Sequence, residues 1–503
     1  MGAMMKDILI ETNCGQTRLA VLEDGELSEY YVERRGQEKL AGNIYLGRVA
    51  NILPGMQAAF VDVGLDKNAF LHAGDIQIDK SDFGGDSEKV ERQLSSQSIG
   101  KMLHMGQEVL VQVIKEPGGT KGPRISSHIT LPGRLVVLLP TVGYIGVSRR
   151  IEDEDARAHL RAMAEQCRPE GMGLIVRTAA AEASQEEIRQ DVDYLLRLWQ
   201  SIQTRAAHLK APALVHRDES LVYRSVRDML SPLVNRLVID NEEQYKSARE
   251  TAEMLSPELC GRIELYTERK PLFDIYRIDA LIDKAYARRV WLKSGGYLII
   301  DHAEALTVID VNTGKFVGSK DLSDTVYKIN CEAVHEIVRQ MRLRDVGGII
   351  IVDFIDMDTE EHRESLLALL RQELKRDRTK TNLVGLTGLG LVEMTRKKVH
   401  QPIHTQLKRP CPMCSGSGMV PTDETIARRV LHELKRLTAE ASAPCWLITA
   451  STGVAGQLLL IGTECGAKVF VHADPGCAAE HYDIEPAGEH ELPPKTRQLP
   501  AFV

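Results

Sequence analysis

Aromatic residues are scarce: 8 Phe, 3 Trp and 13 Tyr make up 5% of 503 residues. Each ring near a candidate site therefore carries more weight than usual. No apolar run approaches the roughly 18–20 residues that span a bilayer, and a candidate such as 348–352 stops at a carboxylate. A membrane span is not expected, and no leader of the secretory kind is visible. The nine cysteines are an odd number with one tight pair, Cys411 and Cys414. That usage fits a reducing cytoplasm, where the protein is expected, and argues against a disulfide framework. Neither charge dominates: 63 Lys and Arg against 71 Asp and Glu leave a formal charge of -8. A histone-like mode of nucleic-acid binding is excluded, but a local basic groove is not, because the field follows charge distribution. Repeats at solenoid periods are absent.

What is present is enough apolar material, 43% of the chain, for several domains. Residues 7–33 read as short strands with turns at 13–16 and 24–25. From Ala41 five glycine-punctuated strands, ending with 108–115 and 122–127, predict a small barrel of the OB kind. The stretch 79–98, rich in Ser, Gly, Gln and Asp, reads as a mobile loop within it. An α/β module follows: β-structure over 135–148, helices over 151–167 and 184–203, and a strand over 173–178 between them. Helices are expected over 218–237 and 242–254, with a strand between, and a long helix over 273–290. Next come a hairpin of 297–301 and 305–310, helix 324–343, strand 348–353 and helix 360–376. Its apolar strands predict burial on both faces. A basic stretch over 395–410, a tight knuckle over 411–418 and a small C-terminal domain led by helix 425–441 complete the chain.

The strongest chemical signal is a pair of strands that each end in acid, Leu306 to Asp310 with Asn312, and Ile349 to Asp353. Buried carboxylates are costly unless compensated. Two carboxylates and an amide oxygen suit Mg²⁺, which keeps several waters and favours phosphate substrates; the alternative is two aspartates that merely begin turns. Cys411-Pro412-Met413-Cys414 followed by Gly416 and Gly418 has zinc-knuckle spacing. One knuckle is half a tetrahedral site. Cys445, Cys465, Cys477, His400 and His404 lack ligand spacing, so two chains each donating one knuckle is the cleaner solution; a redox dithiol is the alternative. Phe60 and Phe70 on outward-facing barrel strands, with Lys115 near the end of a later one, suit bases and phosphates of single strands. Core packing is the competing role for both rings. Arg177 beside Thr178 at a strand end suits a phosphate clamp, although alone the pair is a weak signal and an ordinary strand end is the alternative. The basic run from Arg396 to Arg409 is either a solvated face or an RNA contact.

These motifs occur in one order. Gly42-Asn43-Ile44-Tyr45, Leu53-Pro54-Gly55-Met56-Gln57-Ala58-Ala59-Phe60, Gly173-Leu174-Ile175-Val176-Arg177-Thr178, Leu292-Lys293-Ser294-Gly295-Gly296-Tyr297, Glu304-Ala305-Leu306-Thr307, Asp353-Phe354-Ile355-Asp356-Met357, Gly390-Leu391-Val392-Glu393-Met394-Thr395-Arg396 and the Cys411 knuckle together resemble the bacterial ribonuclease E/G family. The resemblance runs from about Lys6 to Val420. It implies a multidomain α+β and α/β chain: a split RNase H-like subdomain (1–38 and 221–287), an S1-type OB domain (39–127), a 5′-sensor (128–220), a DNase I-like catalytic domain (288–406), a zinc-link (407–422) and a small C-terminal α/β domain (423–503).

The resemblance also assigns roles. Asp310 and Asp353 match metal-binding carboxylates and Asn312 the nearby amide, the three forming the catalytic set. Phe60, Phe70 and Lys115 match RNA-gripping positions. Arg177, Thr178 and Lys380 match the sensor of a 5′-monophosphate. Cys411 and Cys414 match the zinc-link, with Zn²⁺ shared between protomers of a homodimer, or of a tetramer built from such dimers. The implied activity is Mg²⁺-dependent endonucleolytic cleavage of single-stranded RNA, in rRNA processing and mRNA decay, stimulated by a 5′-monophosphate and leaving 5′-phosphate and 3′-hydroxyl ends. A long disordered scaffold that some members carry is not expected here. The rival reading is a non-catalytic RNA-binding or assembly module, which would have no physical reason to keep the Asp310, Asn312 and Asp353 set.

Overall fold

Three apolar-rich runs separated by tight turns open the chain as a meander of β1 (Lys6–Asn13), β2 (Gln16–Glu23) and β3 (Glu26–Arg34). The turn pairs Cys14-Gly15 and Asp24-Gly25 all have positive φ, the backbone that joins right-twisted antiparallel strands most closely. The computed structural model describes residues 5–35, 39–76, 99–117, 121–148, 150–151, 153–314, 322–398, 403–478, 480–490 and 492–500. The chain divides into two compact units, Met1–His404 and Thr405–Val503.

Beyond the meander, β4 (Ile44–Leu53), β5 (Ala58–Asp62), β6 (Ala69–His72), β7 (Glu108–Lys115) and β8 (Arg124–Ser126) close on themselves in the order β4-β5-β6-β8-β7-β4. This is the five-stranded, OB-like barrel expected, filled by Val49, Val61, Leu71, Val111, Val113 and Ile125. The expected loop over 79–98 lies outside the described residues. A second sheet combines β9 (Leu131–Pro132), β10 (Val136–Leu139), β11 (Ile145–Val147) and β12 (Gly173–Val176), in the order β11-β12-β10-β9. Helices Glu154–Cys167 and Gln185–His208 cover it through Leu160, Ile188, Leu195 and Trp199. Ser184 and Glu187 start the second helix with a reciprocal cap. Buried Asp191 then accepts the backbone N–H groups of Leu135 and Val136 at 2.8 and 2.9 Å. Strand β13 (Ala213–His216) returns to pair with β4.

The opening meander finds its cover late in sequence. β14 (Val234–Ile239) runs parallel to β1, and β15 (Ile263–Leu265) parallel to β14. Helices Leu221–Met229 and Glu242–Leu255 pack one face of this sheet, and short helices Leu272–Ile275 and Ile278–Ala285 the other. Two expectations fail here. The helix over 218–237 stops at Met229, because Pro232 cannot continue it, and from Val234 the chain is β14. The long helix over 273–290 is broken at Arg277, whose φ is +52°. Phe273 and Ile278 are both fully buried, yet five positions along one helix would set them about 140° apart. The break turns both inward.

The last sheet of the first unit contains β16 (Arg289–Trp291), β17 (Tyr297–His302), β18 (Leu306–Asn312), β19 (Gly348–Asp353), β20 (Thr381–Leu386) and β21 (Leu391–Arg396). Their order is β16-β17-β18-β19-β21-β20. Only β18 and β19 pair in parallel. The expectation of strands buried on both faces is wrong. Helices Leu322–Leu343 and Glu360–Leu374 share one core with Leu298, Ile300, Ile309, Val311, Ile350 and Val352. The alternate residues point the other way, so apolar Val308 and Ile349 are exposed. This module is riveted to the meander by Arg342, which donates to Glu23 at 2.7 Å and Glu29 at 2.7 Å.

In the second unit, helix Asp423–Glu440 and helix Thr452–Ile461 pack on β22 (Cys445–Ala450), β23 (Val469–Ala473), β24 (Tyr482–Ala487) and β25 (Arg497–Gln498), ordered β24-β22-β23-β25. Ile426, Val430, Trp446, Ile448, Leu458 and Val471 make its core. Among the described residues, no helix is long and apolar enough to cross a membrane.

Candidate active site

The parallel register of β18 and β19 sets Asp310 directly beside Asp353. Both lie on the sheet face away from the helices, since their neighbours Ile309 and Val352 are buried. Asp310 is half-buried and Asp353 exposed, which corrects the expectation of two buried acids. The cost they carry is mutual as well as environmental. Partial burial, then the charges of Asp310 and Asp356, push the Asp353 carboxyl above its ordinary range. Asn312, expected to offer its amide oxygen, uses its Nδ2 to donate to Asp310 Oδ2 at 2.7 Å, pinning that carboxylate. Tight packing shapes the turn after Asn312: a Cβ on Gly314 would fall 2.2 Å from the Gly295 carbonyl oxygen.

A divalent cation between these carboxylates would relieve their repulsion, and an all-oxygen donor pair suits Mg²⁺. Among the described residues, no group of three or more His, Cys, Asp or Glu side chains could hold a metal. An ion here would therefore keep much of its shell as water or substrate oxygen.

The loop leaving Asp353 is clamped by Asn330. This fully buried side chain donates to the Ile355 carbonyl at 2.8 Å and accepts the Ile355 N–H at 3.2 Å. Sequence reasoning missed it. The available signal was an amide between apolar helix positions Ile329 and Ala333, because a buried amide needs partners.

Arg177 and Thr178 sit at the end of β12. The Arg177 guanidinium pairs with Asp228 at 2.8 Å and donates to the Gly133 carbonyl, while the Thr178 hydroxyl lies 3.0 Å from that of Ser148. The sequence reading missed Asp228 and Ser148, which hold these two side chains. Lys380 is exposed. The turn that carries it reaches this module through Arg150, which donates to the Asp377 carbonyl at 2.6 Å. The same turn is anchored by buried Arg396, bound to Asp377 at 2.6 Å and to Asp345 at 2.7 Å. Arg396 thus leaves the basic run and becomes a structural ion-pair centre; Lys397 and Lys398 remain exposed.

On the barrel, Phe60 and Phe70 are opposite one another in register, with centroids 6.0 Å apart in an edge-on contact. Both are half-buried, while their strand neighbours Ala59, Val61, Ala69 and Leu71 face the core. The register extends the row from Phe70 to Arg124 and from Arg124 to exposed Lys115. Rings and cations are thereby brought together on one face. Arg124, held by Asp75 through two bonds of 2.8 and 3.0 Å, is a cation that the sequence reading passed over.

In the second unit, left-handed Ser415, Gly416 and Gly418 fold the knuckle. Backbone N–H groups of Gly418 and Gly416 hold the Cys414 thiol below its usual range. Two thiols fit half of a tetrahedral zinc site. Among the described residues no third ligand joins them: Cys445 is buried and donates to the Ala487 carbonyl. His400 and the side chain of His404 lie outside the described residues.

Residues 130–399 match the Ribonuclease E/G family. The chain is 40% identical to Ribonuclease G of Salmonella typhimurium over 490 residues, covering 96% of this chain and 99% of that protein. It is 42% identical to Ribonuclease G of Haemophilus influenzae over 453 residues, covering 90% and 92%. It is also 41% identical to Ribonuclease E of a Nostoc species over 403 residues, covering 79% of this chain and 57% of that protein.

Proposed function

The chain belongs to the ribonuclease E/G family and is an endoribonuclease; on that footing we propose that it cuts single-stranded RNA at Asp310 and Asp353 with Mg²⁺. The observation that carries this reading is the direct register of Asp310 with Asp353, on an open sheet face that a strand of RNA can approach. Asp310 and Asp353 would hold the ion, which when bound supplies positive charge at the phosphate and an acidified water. Asn312 fixes the orientation of Asp310, and Asn330 fixes the path of the loop beyond Asp353. Phe60 and Phe70 stack bases while Lys115 faces phosphates, the chemistry of single-strand grooves. Arg177, oriented by Asp228, receives a 5′-monophosphate with Thr178 and Lys380. Products then carry 5′-phosphate and 3′-hydroxyl ends.

In this reading the sheet of β1–β3, β14 and β15 is the RNase H-like subdomain, the β9–β12 module the 5′-sensor, and the β16–β21 module the DNase I-like domain. Cys411 and Cys414 act as the zinc-link. Two chains supply four thiolates to one Zn²⁺ and so form a homodimer, on which a tetramer can be built. Matched oligoribonucleotides bearing a 5′-monophosphate or a 5′-hydroxyl, incubated with Mg²⁺ or EDTA and mapped at the cut, test the proposal. Mg²⁺-dependent cutting, faster with the monophosphate, is expected. Equal cutting in EDTA would refute the metal centre, and no cutting at all would leave an RNA-binding module.

A further inference from the structure

Of the three tryptophans, Trp199 and Trp446 are core residues, whereas Trp291 on β16 is 57% exposed. Register places it in one row with the candidate active site: Trp291 faces Tyr297, and Tyr297 faces Asn312. At about 4.8 Å per strand, Trp291 and Asn312 are roughly 10 Å apart. Arg289, two positions along, begins the next row, which continues through Ile299 and Asp310 to Asp353. The rings of Trp291 and Tyr297 meet edge-on with centroids 5.3 Å apart. The Arg289 guanidinium lies 4.6 Å from the Tyr297 centroid and 5.8 Å from that of Trp291. Neighbouring Arg288 is neutralised by Asp301 at 2.6 Å; among the described residues Arg289 has no carboxylate partner. The Tyr297 ring also borders the turn beyond Asn312, since a Cβ on Gly314 would come 3.3 Å from its edge.

We propose that Trp291, Tyr297 and Arg289 form a binding subsite for nucleotides of single-stranded RNA flanking the scissile phosphate, on the β16 side of the acid pair. Trp291 presents an exposed ring to a base. Arg289, steadied on Tyr297, donates to a phosphate. An exposed π-face beside an uncommitted cation is the pairing that single strands use. RNA is the occupant favoured because this cluster shares its face and its rows with the carboxylates that would act on a phosphodiester. The inference rests on the cleavage reading above.

Because the other two tryptophans are buried, a change in tryptophan emission on contact with RNA reports on Trp291. Titrating the full chain, without added Mg²⁺, with a short, unstructured oligouridylate should quench the emission saturably. Trp291→Phe should abolish the quench yet keep affinity within about twofold, since a ring remains. Trp291→Ala and Arg289→Gln should each weaken binding, and raise KM in Mg²⁺ more than they lower kcat, by roughly tenfold, the lower part of the stacking range. Melting temperature should stay unchanged. Unquenched emission, or Trp291→Ala binding as tightly as the wild type, overturns the subsite. A change in light-scattering mass with unchanged RNA affinity also overturns it, making the cluster a contact to a second copy. Wild-type cleavage in Mg²⁺, run in parallel, separates the two readings. A chain that quenches on RNA but does not cut defeats the nuclease centre alone; one that cuts, with Trp291→Ala unaffected, defeats the subsite alone.

Discussion

Replacing Asp353 by Asn tests the centre of the reading, because the change keeps shape and removes one charge. In the folded chain Asp353 sits one strand from Asp310, and partial burial with the charges of Asp310 and Asp356 already raises its carboxyl. Two like charges about 4–5 Å apart in water-like surroundings repel by about 1 kcal/mol. Without metal the Asn variant should therefore be as stable as the wild type, or more stable by up to that amount. With Mg²⁺ the order reverses. A ligand at a hundred times its Kd adds about 2.7 kcal/mol to the folded state that binds it, so the wild-type melting temperature should climb while that of Asp353→Asn stays still. Cleavage should fall by roughly a hundredfold or more, the scale on which loss of one major electrostatic contributor acts. Asp356→Asn, which alters an exposed neighbour outside the register pair, should cost less than about tenfold. The assay combines fluorescent single-stranded RNA, cut over time, with melting curves with and without added Mg²⁺. An Asp353→Asn protein that cuts at the wild-type rate, or gains as much stability from Mg²⁺, would refute the site.

Four further outcomes are expected. Phe60→Ala should weaken single-stranded RNA by about 1–3 kcal/mol with little change in melting temperature, because the ring is only half-buried; a large melting loss at unchanged affinity would place it in the core. Arg177→Ala should erase the rate difference between 5′-monophosphate and 5′-hydroxyl substrates and leave the hydroxyl rate alone, since Asp228 keeps its partner Arg227; equal slowing of both would move Arg177 to general binding. Zinc removal or Cys414→Ser should shift dimer to monomer in light scattering, with one zinc per dimer before treatment; one zinc per monomer would contradict sharing. Buried Glu29 is raised by burial but held down, to about 2, by Arg378, Arg342 and Lys6. Its stabilisation is thus complete above about pH 4.5 and lost as pH falls toward 2, about 3 kcal/mol in all; denaturant titrations across that window should show Glu29→Gln with a flatter acid limb, and an unchanged limb would count against the network.

Local chemistry made much of the fold legible. The turns at Cys14-Gly15 and Asp24-Gly25, the barrel strands and the helices that flank β19 follow from period and turn residues within a few positions. Where the reading failed, long-range packing overrode local pattern. Nothing near Arg277 announces left-handed backbone; the break answers a sheet built from β1 and β14, which are far apart in sequence. Residues 348–352 look buried on both sides because every one but Gly348 is apolar. Only the placement of both helices on one face decides that Ile349 meets solvent.

The candidate site divides along the same line. Asp310 and Asp353 were visible because each ends its own apolar strand, and Arg177-Thr178 because the two adjoin. What makes them a site is register and outside support, which a chain-local pattern does not contain. Asn330 reaches Ile355 across 25 residues. Arg396, which looks like one more solvated cation, closes on Asp377 and Asp345, 19 and 51 residues away. That buried cluster fixes the turn from which Lys380 emerges at the edge of the sheet carrying Asp310 and Asp353, and the same turn accepts the hydrogen bond from Arg150. The module carrying Arg177 and the sheet carrying Asp353 are therefore joined through this turn, and on the proposed reading the contact would set the distance from a phosphate at the first to the carboxylates of the second.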